Sequence, residues 1–442
     1  MKLNHAVFCL ACVALLASCA PKKIPLKGER LDPRSVVGAG EAGPPPGDYA
    51  PHNVPVRLPA PRVNAQWTER NGSPAHLIAQ PALDTSLTPL WSASIGRGDD
   101  KRHKITSDPV VAGGRIFTLD SEATVTATTT AGKTAWSTDI TPPGARAGLV
   151  SGGGLAYGDG KLFVTSAFGE LVAMDPVSGR ILWRQKFDAP ATGAPTVSGN
   201  TVYVTSRDAA AWAINTADGK VRWTVQGTPS IGSLTGGPAP AVAGGTVVFP
   251  FSSDEMIGAL ASGGTILWTA NVAGRRLGHV YAQISDIAGD PVIDGSTIYV
   301  GNATGRIGAY DLASGQAKWT SPEGTLGPVW PVGGQLYFVS DEMKMVRMNA
   351  STGAVVWKAQ LPYYKPYRKD KRRRDIYVNF GPLLAGNRLI VPSSDGNFMV
   401  FDPASGKLIA NRPIGDGATT NAVVANRTLY IVTEDGKLRA FR

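Results

Sequence analysis

The chain has 442 residues, of which 43% are hydrophobic, and its formal net charge at pH 7 is +10. This length and apolar content are sufficient for a large core, and because the sequence repeats internally it need not be divided into several folded domains. A membrane-spanning helix is excluded, because the N-terminal apolar run covers only residues 6–17 and no later run reaches the roughly eighteen residues that a span needs.

The N-terminus has the pattern of an export signal. Met1-Lys2 opens a short charged region before the apolar run, whose length is typical of a signal peptide. The run ends in Leu16-Ala17-Ser18-Cys19, which resembles the bacterial lipoprotein signal. The resemblance implies that residues 1–18 are removed and that Cys19 carries lipid, including palmitate, on its thiol and amino group. An ordinary cleaved signal that happens to contain a cysteine is the alternative.

The residues around Cys19 also bear on location and on cysteine chemistry. Ala20 stands where enteric lipoproteins retained in the inner membrane have Asp, so the resemblance favours the outer membrane. More than one acyl chain gives stable anchoring. Because Cys9 and Cys12 belong to the signal, the mature chain is expected to contain no disulfide, no thiolate metal site and no cysteine nucleophile.

Residues 19–80 differ in composition from the rest of the chain. They contain prolines at 44–46, 51, 55, 59 and 61, with Gly and charged residues between them. This composition is typical of an extended, poorly ordered segment. We therefore predict a lipidated, flexible tether at 19–80 and a folded domain at 81–442.

The folded domain is built from one small unit, seen most clearly from Lys161 to Trp183. Residues 161–166 and 170–175 alternate apolar and polar side chains, with one turn between them and a second turn at 176–179. Alternation with period two, broken by Gly and Pro, is the pattern of antiparallel strands. The unit is a β-meander.

Two independent series count the copies of this unit. In the first series, Gly followed four positions later by Trp occurs six times; Ala410 stands in place of a seventh Trp, and Trp91 is an eighth member without its Gly. In the second series, an apolar strand that follows a turn occurs eight times. The interval between successive members, 38 to 53 residues, includes the length of a four-stranded propeller blade. The sequence therefore predicts an all-β, eight-bladed β-propeller of four-stranded antiparallel blades. The tryptophans predicted to be structural are Trp91, Trp136, Trp183, Trp223, Trp268, Trp319 and Trp357.

The ends of the two series are out of phase. The chain finishes on residues 437–441, which match the third strand of a blade, whereas residues 91–95 match an outermost strand that has no earlier blade. We predict that this N-terminal strand pairs with the C-terminal blade, which closes the ring and covers an open sheet edge. The large tryptophan rings on the outer strands would fill the wedge between neighbouring blades.

The search for catalytic, cofactor-binding or metal-binding groups finds none in the sequence. Metal-ligand spacing is absent among the scattered mature histidines, which are His52, His76, His103 and His279. An acidic residue recurs four positions before the turn glycine, as in Asp175, Asp311 and Asp402. Because Asp side chains bond the backbone of their own turn, we predict that these residues stabilise turns.

The repeat resembles that of quinoprotein-type propellers. Residues 173–183 read Ala-x-Asp-x-x-Ser-Gly-Arg-x-x-Trp, and related patterns occur at 213–223 and 309–319. That repeat is shared by pyrroloquinoline-quinone dehydrogenases and by non-enzymatic members. A lipoprotein of this length with eight blades is most similar to the outer-membrane assembly factor BamB family, and the similarity covers roughly residues 81–442.

Two neighbouring loops extend this resemblance. Residues 233–240 resemble the family segment Ser-Leu-Arg-Gly-Glu-Ser-Ala-Pro, and residues 285–291 resemble Ser-Asp-Val-Asp-Thr-Thr-Pro. In the family these loops hold BamA, the barrel-inserting subunit, through its periplasmic POTRA domains, so the resemblance places Leu234, Thr235 and Asp286 at the contact. Thr235 and Ala288 stand where the family has Arg and a second Asp, which puts the electrostatic part of the contact in doubt. Turn-rich loops without a partner are the alternative.

Part of the positive charge is concentrated in an insertion at residues 363–374. Basic and aromatic residues together can bind nucleic acid, but an exported protein seldom meets any. Anionic lipid head groups or an acidic partner surface fit this composition better, and a solvated loop without a partner is the alternative. The basic residues assigned to this possible contact are Arg368, Lys369, Lys371, Arg372, Arg373 and Arg374.

Two functions of different class follow from the sequence. The first is a non-catalytic scaffold lipoprotein of the outer-membrane β-barrel assembly machinery, on the periplasmic face of the outer membrane. It would bind BamA and the rest of the BAM complex, meet nascent outer-membrane proteins and use no cofactor. The second is a periplasmic quinoprotein dehydrogenase dependent on pyrroloquinoline quinone. The scaffold is favoured, because the mature chain has no vicinal cysteine pair and no calcium-binding constellation.

Overall fold

The computed structural model describes residues 49–191, 193–230, 236–274, 286–367 and 375–442. Within these ranges, thirty-two strands form eight four-stranded antiparallel sheets, which confirms the predicted eight-bladed β-propeller. No helix in the same ranges has the length and apolar character that a membrane span requires.

The strands of each blade follow the chain from the axis of the ring outward, except that the outer strand of blade 8 comes from the N-terminal side. Blade 1 contains β2 (Val110–Ala112), β3 (Arg115–Leu119), β4 (Thr124–Thr129) and β5 (Thr134–Asp139); blade 2 contains β6 (Gly153–Gly158), β7 (Lys161–Ser166), β8 (Glu170–Met174) and β9 (Ile181–Lys186); blade 3 contains β10 (Thr196–Ser198), β11 (Thr201–Thr205), β12 (Ala210–Asn215) and β13 (Val221–Gln226); blade 4 contains β14 (Ala241–Ala243), β15 (Thr246–Pro250), β16 (Glu255–Leu260) and β17 (Ile266–Asn271). Blade 5 contains β18 (Val292–Asp294), β19 (Thr297–Asn302), β20 (Arg306–Asp311) and β21 (Ala317–Ser321); blade 6 contains β22 (Trp330–Val332), β23 (Gln335–Val339), β24 (Lys344–Asn349) and β25 (Val355–Gln360); blade 7 contains β26 (Leu383–Ala385), β27 (Arg388–Pro392), β28 (Asn397–Phe401) and β29 (Leu408–Pro413); blade 8 contains β30 (Val423–Ala425), β31 (Thr428–Thr433), β32 (Lys437–Phe441) and β1 (Pro89–Ser94).

The burial of the strands follows from the stacking of the blades. In blade 2 the middle strands β7 and β8 are buried along almost their whole length, whereas the outer strand β9 is largely exposed or half-buried. A middle strand is covered on both faces because a blade packs on each side of it. Apolar side chains therefore meet between neighbouring blades, as Phe117 and Val125 of blade 1 meet Leu155 and Val164 of blade 2.

The outer-strand tryptophans pack against a turn of the next blade. Trp183 of blade 2 lies over Gly219 of blade 3, where an added Cβ would be 2.7 Å from the ring. Its indole N–H also donates a hydrogen bond to the carbonyl of Thr216, at 3.1 Å. Each repeat thus supplies a glycine to the blade before it and a tryptophan to the blade after it. The other pairs are Trp91–Gly132, Trp136–Gly179, Trp223–Gly264, Trp268–Gly315, Trp319–Gly353 and Trp357–Gly406.

The ring closes through β1, as the sequence predicts. This strand pairs antiparallel with β32, with Trp91 opposite Ala440 and Ser94 opposite Lys437. Just beyond the pair, the Arg442 N–H donates a hydrogen bond to the carbonyl of Thr88, at 2.9 Å. The outer strand of blade 8 and the rest of that blade therefore come from opposite ends of the folded domain.

The joint between blades 7 and 8 lacks the tryptophan contact. Ala410 occupies the tryptophan position of β29, opposite Val400. In blade 8 no turn connects β32 to β1, because the two ends of the domain meet there. The missing tryptophan therefore coincides with the missing turn. Leu83 and Leu87 are buried, and they share one apolar cluster with Ala410.

Residues 62–82, which we call the strap, cross one face of the ring. The Trp67 N–H donates to the Val111 carbonyl at 2.8 Å, the Val111 N–H donates back at 2.8 Å, and the Trp67 side chain is buried. The expected poorly ordered tether is therefore wrong for the strap, because its backbone finds hydrogen-bond partners on the blades. Residues 1–48, which include the predicted signal and the start of the tether, lie outside the described residues.

The strap meets the eight blades one after another around the axis. It contacts blades 8, 1, 2, 3, 4 and 5 in that order, through Asn64, Trp67, Thr68, Glu69, Pro74 and Ala75. Leu77 then packs against the apolar cluster shared by blades 5 and 6, and Pro81 contacts blade 7. Arg62 then donates its N–H to the Gln80 carbonyl and accepts from Ala82, at 2.9 and 2.8 Å. The strap thus makes a second closed circuit, separate from the closure by β1.

Candidate functional site

The loops that join neighbouring blades surround the mouth of an axial cavity on the face opposite the strap. The cavity has a volume of about 370 Å³, and Arg70 of the strap is among its lining residues. Because the strap crosses the ring at Arg70, the cavity is closed on that side. Five different interblade loops contribute to its wall, through Lys104, Gly236, Leu326, Phe380 and Thr420.

Arg70 lies close to the axis of the ring. A short 3-10 turn, Arg70–Gly72, holds it there. Its guanidinium is 3.5 Å from the carboxylate of Asp108 and 3.2 Å from that of Asp290, and it donates to the Gly237 carbonyl at 3.0 Å. These three partners precede blades 1, 5 and 4, so one side chain joins loops from opposite sides of the ring.

The two loops predicted to bind a partner are joined at their bases. The Ala239 N–H, at the end of the first loop, donates to the Asp290 carboxylate of the second at 2.7 Å. The strap holds the same point, because the Asn71 amide donates to Asp290 at 3.1 Å and a ring nitrogen of His76 is 2.8 Å from the Pro291 carbonyl. The second loop is therefore anchored by hydrogen bonds from the strap and from the first loop.

Burial changes the titration of several strap and loop groups. Burial raises the pKa of Glu69 well above its usual range, although the Val197 N–H bonded to it opposes the shift. Burial also raises the pKa of Asp108, against the effects of Arg70 and Asn421. For His76 burial lowers the pKa, and nearby Asp290 opposes that change. These environments disfavour the charged form of each group, as expected where water is excluded.

The predicted contact residues fall partly within the described structure. Leu234 and Thr235 lie outside the described residues, as do Cys19 and the basic residues 368, 369 and 371–374. Asp286 is described, and only 1% of it is exposed. That Asp286 lies at the partner contact stays a prediction, and in this conformation its side chain is buried.

Side chains that could have carried chemistry have structural partners instead. Asp175 accepts hydrogen bonds from the N–H and hydroxyl of Ser178, at 2.7 and 2.8 Å, which confirms the predicted turn role and lowers the pKa of Asp175. His103 contacts Asp100 at 3.0 Å. Across the described ranges, no group of three or more His, Cys, Asp or Glu side chains is placed to hold a metal ion.

The basic insertion begins and ends in a two-stranded ribbon, which we define as residues 363–367 and 375–378. Tyr364 pairs with Ile376, and the Tyr377 N–H donates to the Tyr363 carbonyl at 2.7 Å. Tyr364, Ile376 and Val378 are each at least 40% exposed. The ribbon therefore presents aromatic and aliphatic side chains to solvent beside the cavity mouth, which Val378 also lines.

The sequence reasoning missed Arg70, Asn71 and the role of Asp290. Asp290 lies within a stretch that the sequence singled out, but its partners are at least 51 residues away along the chain. Arg70 and Asn71 lie in a proline-rich region whose composition suggested a tether. A polar Glu-Arg-Asn-Gly run directly after Trp67 and Thr68 was the available local signal.

Comparison with known proteins gives a consistent family match. A family model described as "Outer membrane protein assembly factor BamB" matches residues 121–359. The outer membrane protein assembly factor BamB of Yersinia pestis is 24% identical over 364 residues, which cover 80% of this chain and 89% of that protein.

Solved structures agree on the fold. The crystal structure of BamB from Moraxella catarrhalis superposes with a TM-score of 0.65 at 18% identity, covering 80% of this chain and 99% of that one. Quinohemoprotein alcohol dehydrogenase from Comamonas testosteroni gives a TM-score of 0.62 at 14% identity, covering 85% of this chain and 80% of that one. At these identities both similarities concern the fold alone.

Proposed function

Because the chain belongs to the family of the outer membrane protein assembly factor BamB, we propose that it is a non-catalytic scaffold of the outer-membrane β-barrel assembly machinery. In this role it binds the POTRA domains of BamA, contacts the rest of the BAM complex, and assists the folding and insertion of nascent outer-membrane proteins. It has no catalytic step of its own. Its working parts are the loops around the cavity mouth.

The bracing of two neighbouring loops is the observation that carries this proposal. The loop that contains Leu234 and Thr235 is bonded at its base to the loop that follows Asp286, through Ala239 and Asp290. A bond of this kind reduces the ordering cost that two separate loops would pay on binding a partner. The two loops therefore act as one prepared surface for BamA.

Asp286 has a supporting part in this proposal. Its side chain is buried and its carbonyl accepts a hydrogen bond from the Ala303 N–H at 3.5 Å, so it positions the loop from below. The direct contact is assigned to Leu234 and Thr235 of the first loop. Replacement of Asp286 would then weaken binding by misplacing the loop.

Site-specific crosslinking tests the partner surface. A photoreactive residue at Leu234 or Thr235 is expected to crosslink BamA in intact membranes. The same residue at Val177, an exposed turn position of blade 2 on the opposite face, is the matched control and should give no BamA product. Equal crosslinking from both positions, or none from the loops, would contradict the assignment.

We also propose that the chain is anchored by lipid on Cys19 at the periplasmic face of the outer membrane. The support is the sequence pattern around Cys19 together with membership of a family of outer membrane protein assembly factors. Metabolic labelling with palmitate should mark the wild-type chain and leave Cys19→Ser unlabelled. Label on both forms, or recovery of the wild type in the soluble periplasmic fraction, would refute the anchor.

The basic residues Arg368, Lys369, Lys371, Arg372, Arg373 and Arg374 are proposed as a second contact, to lipid head groups or to an acidic partner surface. Their concentration within one insertion supports this. Replacing residues 369–374 with serine should reduce membrane or complex association at low salt. Association that is unchanged would remove the insertion from the contact.

A quinoprotein dehydrogenase is the alternative, and similarity of fold is what favours it. Against it, Arg70 and its two carboxylate partners occupy the axis of the propeller. Purified protein supplied with pyrroloquinoline quinone and Ca²⁺ should show no stoichiometric chromophore and no dye reduction. A bound chromophore with dye-linked turnover would favour the enzyme.

A further inference from the structure

The described chain begins at the circumference of blade 6. The Tyr49 carbonyl accepts a hydrogen bond from the N–H of Lys358 in β25 at 2.7 Å, and the Lys358 ammonium lies 5.3 Å from the centre of the Tyr49 ring. Residues 50–53 then pass along the rim before Val54 donates to the Ala404 carbonyl of blade 7 at 3.2 Å. Tyr49, the first described residue, therefore lies in the sector of blades 6 and 7.

The ribbon emerges from the same sector, because it follows β25 directly along the chain. Tyr364 and Ile376 are opposite each other in the ribbon, and the period of two puts Val378 on the same face. All three side chains are exposed. Lys365 lies on the other face, with its ammonium 5.7 Å from the centre of the Tyr377 ring.

A groove between blades 6 and 7 adds apolar surface to this sector. It has a volume of about 830 Å³, and Leu361, Met399, Phe401 and Leu408 line it together with residues 51–53. Lys407 lies at the groove. The neighbouring Leu408 and Ile409 of β29 are 48% and 51% exposed.

The charge of the sector complements an anionic surface. In the sequence, the seven residues that separate the two halves of the ribbon comprise six basic residues and one acidic residue. Lys365 and Lys407 add to this positive charge, and Asp375 and Asp395 reduce it without reversing its sign. Aromatic and aliphatic side chains beside basic ones are the composition of interfacial membrane contacts.

We propose that the sector of blades 6 and 7 docks on an anionic phospholipid bilayer, with Tyr364 and Ile376 of the ribbon and Leu408 and Ile409 of the rim at the interface. The inference rests on the proposed lipid anchor in one respect, since the anchor brings this sector to the membrane. Tyr49 is thirty positions after Cys19, so the two residues are at most about 100 Å apart in an extended chain. Docking by the sector that contains Tyr49 keeps the propeller close to the bilayer and leaves the BamA loops, two to three blades away, accessible.

Flotation with vesicles tests the proposal without the anchor. The mature chain with Cys19→Ser is mixed with vesicles of phosphatidylethanolamine and phosphatidylglycerol, or with neutral vesicles of phosphatidylethanolamine and phosphatidylcholine. We expect binding to the anionic vesicles, loss of binding at high salt because exposed charges are screened, and little binding to the neutral ones. Replacing Lys365 with serine should weaken binding about fivefold, as is typical of one basic residue near an anionic surface.

Position-matched variants separate docking by this sector from non-specific attraction. Leu408→Ser with Ile409→Ser, and separately Tyr364→Ser with Ile376→Ser, should reduce flotation. Ile266→Ser with Leu267→Ser is the control, because these residues occupy the equivalent strand positions of blade 4 and are 50% and 42% exposed. Equal losses in the blade 4 control, or no loss in the other two variants, would overturn the proposal.

A single-cysteine label gives a second readout that does not depend on affinity. The mature chain with Cys19→Ser has no other cysteine, so Tyr364→Cys and Leu267→Cys each carry one environment-sensitive fluorophore. We expect a blue shift with anionic vesicles at position 364 and none at position 267. If purified BamA shifts the label at 364 and vesicles do not, the surface binds protein and the lipid proposal is wrong, while palmitate labelling of Cys19 independently decides whether the anchor exists.

Discussion

The contact of Arg70 with two buried carboxylates predicts a large effect of its removal. In Arg70→Met the aliphatic part of the side chain is retained, but Asp108 and Asp290 lose the cation that lies 3.5 and 3.2 Å away. Both carboxylate side chains are buried, at 8% and 0% exposure. Removing one partner of a buried ion pair typically costs about 3–5 kcal/mol, because a charge is left without compensation. We expect the free energy of unfolding to fall by about this amount at pH 7.

The loss should depend on pH with a defined sign. Burial already raises the pKa of Asp108, and Arg70 opposes the shift, so the pKa rises further without Arg70. A carboxyl whose folded pKa exceeds its unfolded value binds a proton on folding, and stability then increases as the pH falls. The deficit of Arg70→Met should therefore shrink as the pH is lowered from neutral toward the ordinary carboxyl pKa of about 4.

Urea denaturation followed by tryptophan fluorescence at several pH values measures both effects. Arg97→Met is the matched control: Arg97 is 77% exposed and 3.8 Å from Glu122, so its removal should cost no more than about 1 kcal/mol. Adding Asp108→Asn and Asp290→Asn to Arg70→Met should recover part of the loss. A variant as stable as the wild type, or a deficit that is constant with pH, would refute the role given to Arg70.

Three further predictions concern the blades. Trp357→Ala, which empties a fully buried site, should lower stability by about 3–5 kcal/mol in urea denaturation; an unchanged midpoint would remove this tryptophan from the core. Gly264→Ala should lower the free energy of unfolding by about 1–3 kcal/mol, because the φ of Gly264 is +74° and an added Cβ would be 2.6 Å from Trp223. An added Cβ at Gly263 meets no neighbour, so Gly263→Ala should be nearly neutral by the same assay. Deleting residues 437–442 removes β32 and should abolish the cooperative thermal transition, and a retained sharp transition would argue against closure by β1.

The propeller could be predicted because the residues that join neighbouring blades recur at the same spacing in each repeat. A glycine at a positive-φ turn and a tryptophan four residues later are both needed within one unit, as at Gly219 and Trp223, so their spacing gives the number of blades directly. The closure by β1 followed from counting strands at the two ends. These features depend on short-range periodicity, which is visible in one chain.

The strap and the loop anchorage could not be predicted in the same way. Asn64 bonds the Val424 carbonyl across 360 residues of sequence, and no local pattern indicates such a partner. The prolines that suggested disorder, at 44–46, 51, 55, 59 and 61, precede the strap. The strap is ordered by contacts with inner strands that come together only in the closed ring. Asp286 was placed at the contact by the family resemblance, and a resemblance between short segments does not show that the Asp286 side chain is buried and that its backbone is bonded to Ala303 of blade 5.

The absence of a tryptophan at position 410 bears on where this propeller could be circularly permuted. Seven joints carry the indole-on-glycine interlock, and the eighth lacks both halves because the termini of the domain meet there. Joining Arg442 to Pro89 through a glycine turn, together with Ala410→Trp, would give the eighth joint both halves of the interlock, while separating the strap from β1. New N- and C-termini could then be introduced at any other outer turn of the propeller.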